Sequence, residues 1–394
     1  MVLPMTVPEI NTVCFVGAGT MGCYNSLVAA ISGYQVVLYD RSQEVLDTVA
    51  EQHLHWGPLL VAGGYCSDEM LSDGLQRVSI TSSLQSAVAD ADLVSESIFE
   101  QREAKRETHA RLDEVCPERT VLTTNSSTLL VSDLEDALSR GDRFAALHSH
   151  LGSPLFDIVA GSQTRPEVIT LLARYVMSLR GVPLVQHKEH RGYVLNAMIG
   201  ALLRAALELR IERGFSADEV DRAWMNHQSA SMGPFGMMDL FGLNVIYDSW
   251  TQARSGAHQQ ALQHKVLALL QPFLDEGRLG AKSGEGFYRY PRPAYQADDF
   301  LSAESAVEEA RDTLLVALIS HGVLVAARGV TERGNVDLAW RIGTQLPAGP
   351  FLLLEQMGVE AYQSLLADYL DSGQISAEDV DVISAYLKEQ VKTA

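Results

Sequence analysis

The first patterned stretch of the chain is a short apolar, β-branched run, Thr12-Val13-Cys14-Phe15-Val16, which reads as a strand buried on both faces. It leads directly into Gly17-Ala18-Gly19-Thr20-Met21-Gly22 and then into a helix-compatible stretch at residues 25–31. A second apolar run, Gln35-Val36-Val37-Leu38-Tyr39, ends on Asp40. Further strands are expected from Asp92-Leu93-Val94, Thr120-Val121-Leu122-Thr123-Thr124 and Phe144-Ala145-Ala146-Leu147-His148, with a helix over residues 104–115. Strands alternating with helices predict an α/β domain with a doubly wound, mostly parallel sheet, whose ligands bind at the carboxyl ends of the strands. Past residue 195 the period turns helical, with residues 201–213 an amphipathic run.

The helical half repeats itself. Asp221-Arg222-Ala223-Trp224 returns as Asp337-Leu338-Ala339-Trp340, Gly233-Pro234-Phe235 as Gly349-Pro350-Phe351, and Gly242 as Gly358, every pair 116 residues apart. A constant offset across separate motifs marks a duplication. Proline after glycine suits a helix start, because the first helical amide has no partner there to lose. Three domains are therefore expected: residues 1–188, an α/β domain; 189–291, an all-α domain; and 292–394, a shorter all-α copy after the linker Pro291-Arg292-Pro293.

Composition narrows the function. With 394 residues, 47% hydrophobic and 20% charged, the chain has an ordinary globular core. Fifty acidic against 30 basic residues give a formal charge of −20, which opposes binding to phosphate backbones and excludes nucleic acid as a natural partner. Cys14, Cys23, Cys66 and Cys116 make no Cys-x-x-Cys pair, so they read as reduced structural thiols, and spacing offers no metal set. No apolar run reaches the ~18–20 residues of a membrane span. Residues 1–9 lack the pattern of a secretory leader, so the expectation is a cytoplasmic protein without a membrane partner.

The glycine loop carries the first chemistry. Gly17 permits the tight turn, Gly19 lets a pyrophosphate reach the backbone, and Gly22 lets helix and strand pack closely. The phosphates would then lie on the amides of Thr20 and Met21, at the positive end of the helix. Asp40 can accept from ribose hydroxyls and repels a 2′-phosphate, which favours NAD, while the adjacent Arg41 leaves NADP open.

At this point the residues resemble the 3-hydroxyacyl-CoA dehydrogenase family, which includes 3-hydroxybutyryl-CoA dehydrogenases of fatty acid metabolism. The similar segments are residues 13–40, 93–105, 123–129, 142–148, 154–159, 192–196, 232–242 and 280–290. The most specific are Asp142-Arg143-Phe144-Ala145-Ala146-Leu147-His148 and Lys282-Ser283-Gly284-Glu285-Gly286-Phe287-Tyr288. The resemblance implies a Rossmann domain, NAD as cofactor, and oxidation of a 3-hydroxyacyl substrate with His148 as general base. It places Ser127 and Asn196 on the substrate oxygen, and Asn125, Glu100 and Lys105 beside the cofactor.

The family's partner glutamate falls on Ala160 when positions are counted without gaps. Removing three residues after His148 aligns Pro154-Leu155-Phe156-Asp157-Ile158-Val159 with the family strand and makes Asp157 the partner. The family's Asn-Pro after the histidine is absent; His148-Ser149-His150-Leu151-Gly152 stands there instead. Single-copy relatives dimerise through the helical domain, so the second copy implies either a monomer with an internal pseudo-dimer or a homodimer. Asp312 stands 116 residues after Asn196, which makes the second copy scaffolding.

The substrate is less determined. The first lysine is Lys105, and between Arg41 and Arg102 the only basic residue is Arg77. That is a thin counter-charge for the phosphates of CoA, with Arg191, Arg204 and Lys282 as substitutes. Three functions stand: a 3-hydroxyacyl-CoA or related thioester dehydrogenase; a dehydrogenase of a free 3-hydroxy acid such as carnitine or gulonate; and a non-catalytic NAD-binding protein.

Overall fold

Eight strands form one sheet in the order β3-β2-β1-β4-β5-β6-β7-β8. They are β1 (Thr12–Val16), β2 (Gln35–Tyr39), β3 (Val78–Thr81), β4 (Leu93–Glu96), β5 (Val121–Thr124), β6 (Phe144–Ser149), β7 (Leu155–Ala160) and β8 (Val182–Gln186). The computed structural model describes residues 9–251, 257–302 and 308–393; residues 1–8, most of the stretch without a leader pattern, lie outside them. Strands β3 to β6 pair in parallel, β7 runs antiparallel to β6, and β8 is parallel to β7.

Strand alternation explains the doubly buried β1. Val13 and Phe15 enter one apolar cluster, with the helices Thr20–Ile31 and Pro166–Ser178, while Cys14 and Val16 enter the other. Chain order reverses between β1 and β4, which opens the crevice where an α/β sheet takes its ligand.

The chain divides into two compact units, Met1–Tyr193 and Val194–Ala394. The boundary expected at 291/292 does not separate two bodies, because the later helices share a core with the earlier ones. Helix Leu195–Glu212 packs against helix Glu308–Ala327, and the indoles of Trp224 and Trp340 meet edge to face at 6.2 Å. Gly343 shows how tight the fit is: a methyl added there would land 2.1 Å from Leu195. This sharing corrects the amphipathic reading of residues 201–213, since Leu202, Leu203, Ala205, Ala206, Leu207, Glu208 and Leu209 are all buried. Helix Glu308–Ala327 also overturns the expectation about apolar runs: it is long and apolar enough to cross a membrane, but 67% of its most apolar stretch is buried within the protein.

The offset of 116 residues carries into the helices. Ala217–Gln228 and Pro234–Phe241 recur as Arg333–Thr344 and Pro350–Met357 with identical bounds. The positive φ of Ser229 (52°) recurs at Gln345 (59°). Asp221 accepts from the amides of Phe235 and Gly236 at 2.8 and 2.9 Å, and Asp337 from those of Phe351 and Leu352 at 2.8 and 3.1 Å. Each aspartate thus caps a helix from a distance and satisfies amides that would be orphaned. Asp221 is fully buried and also accepts from the Tyr288 hydroxyl at 2.9 Å, whereas Asp337 is half-buried. Asp221→Ala is therefore expected to cost about 3 kcal/mol or more of unfolding free energy, and Asp337→Ala about 1 kcal/mol, read from urea melts. Equal costs would show that burial does not set the difference.

Candidate active site

The loop after β1 has the shape that a dinucleotide requires. Gly17 has φ +103° and donates to the Tyr39 carbonyl at 2.8 Å. A Cβ at Gly22 would sit 1.8 Å from the Gly17 oxygen, whereas at Gly19 it would meet nothing within 4 Å. The backbone is thus pinned at both ends and open in the middle, where a phosphate would approach. Thr20 and Met21 lie in the first helical turn, before the first intrahelical bond from Cys23 N–H to Gly19 O at 2.9 Å, so their amides have no partner within the helix. These residues fit NAD.

Asp40 directly follows β2 and is half-exposed. It accepts from the Ala18 amide at 3.0 Å and the Ser42 amide at 2.9 Å, so the expected ribose acceptor also braces the glycine loop. Arg41 is exposed beside it.

Glu100 organises the turn after β5. Its Oε1 accepts from the Ser126 hydroxyl, from the amides of Ser127 and Thr128 at 3.0 and 2.9 Å, and from the Thr128 hydroxyl at 2.9 Å. Burial pushes the Glu100 carboxyl up, but Lys105 and these donors outweigh it and hold it below the ordinary range. Lys105 is buried, 2.6 Å from Glu96 Oε1 and 3.3 Å from Glu100 Oε2. Glu96 is likewise driven up by burial but brought down to about 2 by His109 and Lys105. Asn125 directly follows β5. Its Oδ1 accepts from the Ser149 amide at 2.7 Å and the Ser149 hydroxyl at 3.2 Å, fixing the backbone just after His148. Asn25, on helix Thr20–Ile31, donates to the same hydroxyl at 2.7 Å. Ser127 is half-buried, and its hydroxyl makes no hydrogen bond among the described residues, which leaves it able to meet a ligand.

His148 lies opposite Asp157 in the antiparallel ladder of β6 and β7. Its Nδ1 is 3.1 Å from Asp157 Oδ2. An ionised carboxylate only accepts, so Nδ1 carries the proton and Nε2 keeps its lone pair. Gln186, at the end of β8, donates to Asp157 Oδ1 at 2.8 Å, and His150 Nε2 reaches Oδ2 at 2.8 Å. Tyr193 stacks on the His148 ring, centroids 4.7 Å apart and planes 18° apart, and donates to the Ser126 carbonyl at 2.7 Å. It does so from a left-handed backbone (φ 52°), a conformation that a bulky residue rarely adopts.

Burial lowers the His148 pKa below 6.5; Asp157 opposes that shift and His150 adds to it. The Asp157 carboxyl is raised by burial but lowered further by the two histidines, so it stays ionised. The result is a neutral, oriented imidazole. His150, Gln186, Tyr193 and Asn25 were not among the expected site residues; the signal available was the alternation His148-x-His150, which puts both rings on one strand face. Asn196 belongs to the second unit, half-buried in the first turn of helix Leu195–Glu212. Arg204, offered as a phosphate contact, turns inward to the Tyr369 hydroxyl at 3.3 Å, while Arg191 and Lys282 are exposed.

The family model for the 3-hydroxyacyl-CoA dehydrogenase NAD-binding domain matches residues 12–190, and that for the C-terminal domain matches residues 192–290. The mitochondrial hydroxyacyl-coenzyme A dehydrogenase of Sus scrofa is 30% identical over 298 residues, covering 71% of this chain and 91% of that one. A diketoreductase structure superposes with a TM-score of 0.66 at 33% identity, over 72% of this chain and 100% of its own. The structure of 3-hydroxybutyryl-CoA dehydrogenase from Escherichia coli K12 matches at 0.78 over 96% of this chain and 99% of its own; at 21% identity it is a likeness of fold. The chain therefore belongs to the 3-hydroxyacyl-CoA dehydrogenase family and is an oxidoreductase with NAD as its cofactor.

Proposed function

We propose that the chain oxidises the 3-hydroxyl of an L-3-hydroxyacyl-CoA, or a related thioester, to the 3-oxo compound, with His148 as general base. The observation that carries this reading is the Nδ1–Oδ2 bond of 3.1 Å between His148 and Asp157, which commits one ring nitrogen and leaves the other as acceptor. The loop at residues 17–22 and Asp40 would hold NAD, which would accept the hydride when bound. His148 Nε2 draws the hydroxyl proton as the carbonyl forms, and Asp157 stabilises the resulting imidazolium. Ser127 and Asn196 are assigned to the substrate oxygen. Tyr193 and Gln186 keep ring and carboxylate in place, which limits the reorganisation the reaction needs.

The direction of the His148 shift fixes the pH dependence. Oxidation needs the neutral ring, so its rate is expected to hold through neutral pH and fall only below 6.5, as the ring protonates. Reduction needs the protonated ring and should gain where oxidation loses. NADH formation from 3-hydroxybutyryl-CoA and longer thioesters, followed against pH, tests both points. No turnover at any chain length removes the thioester reading, and loss of oxidation on the alkaline side would exclude a neutral base.

A second reading, dehydrogenation of a free hydroxy acid or reduction of a dicarbonyl, is favoured by the scarcity of basic residues between Arg41 and Arg102 and by the likeness to a diketoreductase. It predicts that a CoA-free compound turns over where thioesters fail. The non-catalytic reading loses its motive, since the shortened loop still brings Asp157 to His148. We infer in addition that residues 189–291 and 292–394 are two copies of one helical domain, the second standing in for a partner's face. The recurring helix bounds, caps and left-handed residues support this.

A further inference from the structure

The shortened loop does more than keep the dyad. His148 and His150 stand two residues apart, so both rings project from the same face, and Asp157 pairs opposite His148 on the adjacent strand. Both rings point a nitrogen at one oxygen: His148 Nδ1 lies 3.1 Å and His150 Nε2 2.8 Å from Asp157 Oδ2. All three donor atoms lie within 4.8 Å of one another. The side chains are 6%, 10% and 0% exposed, and the rings meet edge to face with centroids 4.5 Å apart. A zinc-type ion holds nitrogen and oxygen ligands at about 2.0–2.1 Å, so tetrahedral ligand atoms lie about 3.3 Å apart. The two nitrogen–oxygen spacings already lie within about half an ångström of that value. Gln186 holds the other carboxylate oxygen at 2.8 Å, and Asn125 anchors the intervening Ser149 amide at 2.7 Å, the outer support that a metal site needs.

We propose that His148, His150 and Asp157 form a binding site for a divalent transition-metal ion of the zinc type, whose occupancy switches the dehydrogenase off. Two imidazoles and one carboxylate with an open fourth position suit zinc, and nickel or cobalt after it, over magnesium or calcium, which prefer all-oxygen sites. The metal takes the lone pair of His148 Nδ1, and the proton there moves to Nε2; His150 likewise binds through Nε2 and carries its proton on Nδ1. No net proton is lost by the two neutral rings. Nε2 of His148 then bears a hydrogen and has no lone pair for the substrate proton. Binding stands on the three ligands alone, and only the inhibition rests on the assignment of His148 as the base.

The test uses the full chain after chelator treatment. Cobalt(II) is expected to give the visible bands of a four-coordinate nitrogen–oxygen site at one ion per chain, and zinc(II) to displace it and raise the melting temperature. Zinc should abolish NADH formation reversibly, with chelator restoring it. His150→Asn should lose the cobalt bands and need at least about tenfold more zinc for half-inhibition, relative to its own metal-free rate. NAD binding at the glycine loop reports whether that variant is folded, and His150→Gln replaces it if it is not. Absence of cobalt bands and of zinc inhibition up to about 1 mM in the wild type overturns the proposal. So does equal zinc sensitivity in the variants, which would put the ion elsewhere. Cobalt bands and a zinc-raised melting temperature without any dehydrogenase activity would keep the site and sink the catalytic reading instead.

Discussion

Replacing His148 by alanine is expected to lower kcat for oxidation by about 10²–10⁴-fold, the usual worth of a positioned general base, while NAD binds as before. The separation follows from placement. His148 lies near the end of β6 and is tied to β7 and β8 through Asp157 and Gln186, whereas the cofactor loop follows β1 and is braced by Asp40 just after β2. The alanine also leaves Asp157, fully buried, without one of its three side-chain donors, so a stability cost of about 1–3 kcal/mol should accompany the kinetic one. The measurements are single-turnover NADH formation, NADH fluorescence titration and a thermal melt. A drop in kcat of less than about tenfold would move the base elsewhere. Equal loss of cofactor affinity would mean that the two parts of the site are not independent.

The second large effect belongs to the glycines. Gly22→Ala puts a methyl 1.8 Å from the Gly17 carbonyl oxygen, where only backbone movement relieves the clash. Helix Thr20–Ile31 would have to leave β1, and with it the amides of Thr20 and Met21. NAD affinity should fall by about 100-fold or more, near 3 kcal/mol, and the melting temperature should drop too. Gly19→Ala has the opposite profile. Its methyl meets no protein atom within 4 Å, so stability should hold, yet the methyl occupies the space a pyrophosphate needs. NAD affinity should fall alone. Calorimetric titration with NAD beside a melt for each variant separates the two. Both variants binding NAD normally would dissociate the loop from the cofactor.

The part of the site built from consecutive residues could be read in advance. β1, its glycine loop, helix Thr20–Ile31, β2 and Asp40 follow one another in the chain, and each has a local mechanical reason. The inferred doubling of the helical half rests on Asp221, Trp224 and Gly233-Pro234-Phe235 returning 116 residues later as Asp337, Trp340 and Gly349-Pro350-Phe351. Asp157 needed a gap of three residues to be found. The fold makes that choice natural, since the short turn between β6 and β7 puts residue 157 opposite residue 148 whatever the loop length in relatives. Gln186 and Tyr193 arrive from β8 and from the end of the first unit; no spacing in the sequence announces that four separate segments converge on one imidazole. The burial of Lys105 was hidden for a related reason. A lysine nine residues after a strand looks exposed until Glu96 and Glu100 are seen to enclose it.

The contact between Gly343 and Leu195 binds the history of the two helical runs together. Their shared packing has a lock at a point where one run offers only a hydrogen and the other a full isobutyl group. Any larger residue at 343 demands a smaller one at 195, so drift in either run is answerable to the other. A shuffled gene carrying one run from a distant cousin would inherit that mismatch, and recombination is expected to move residues 194–394 as a single cassette.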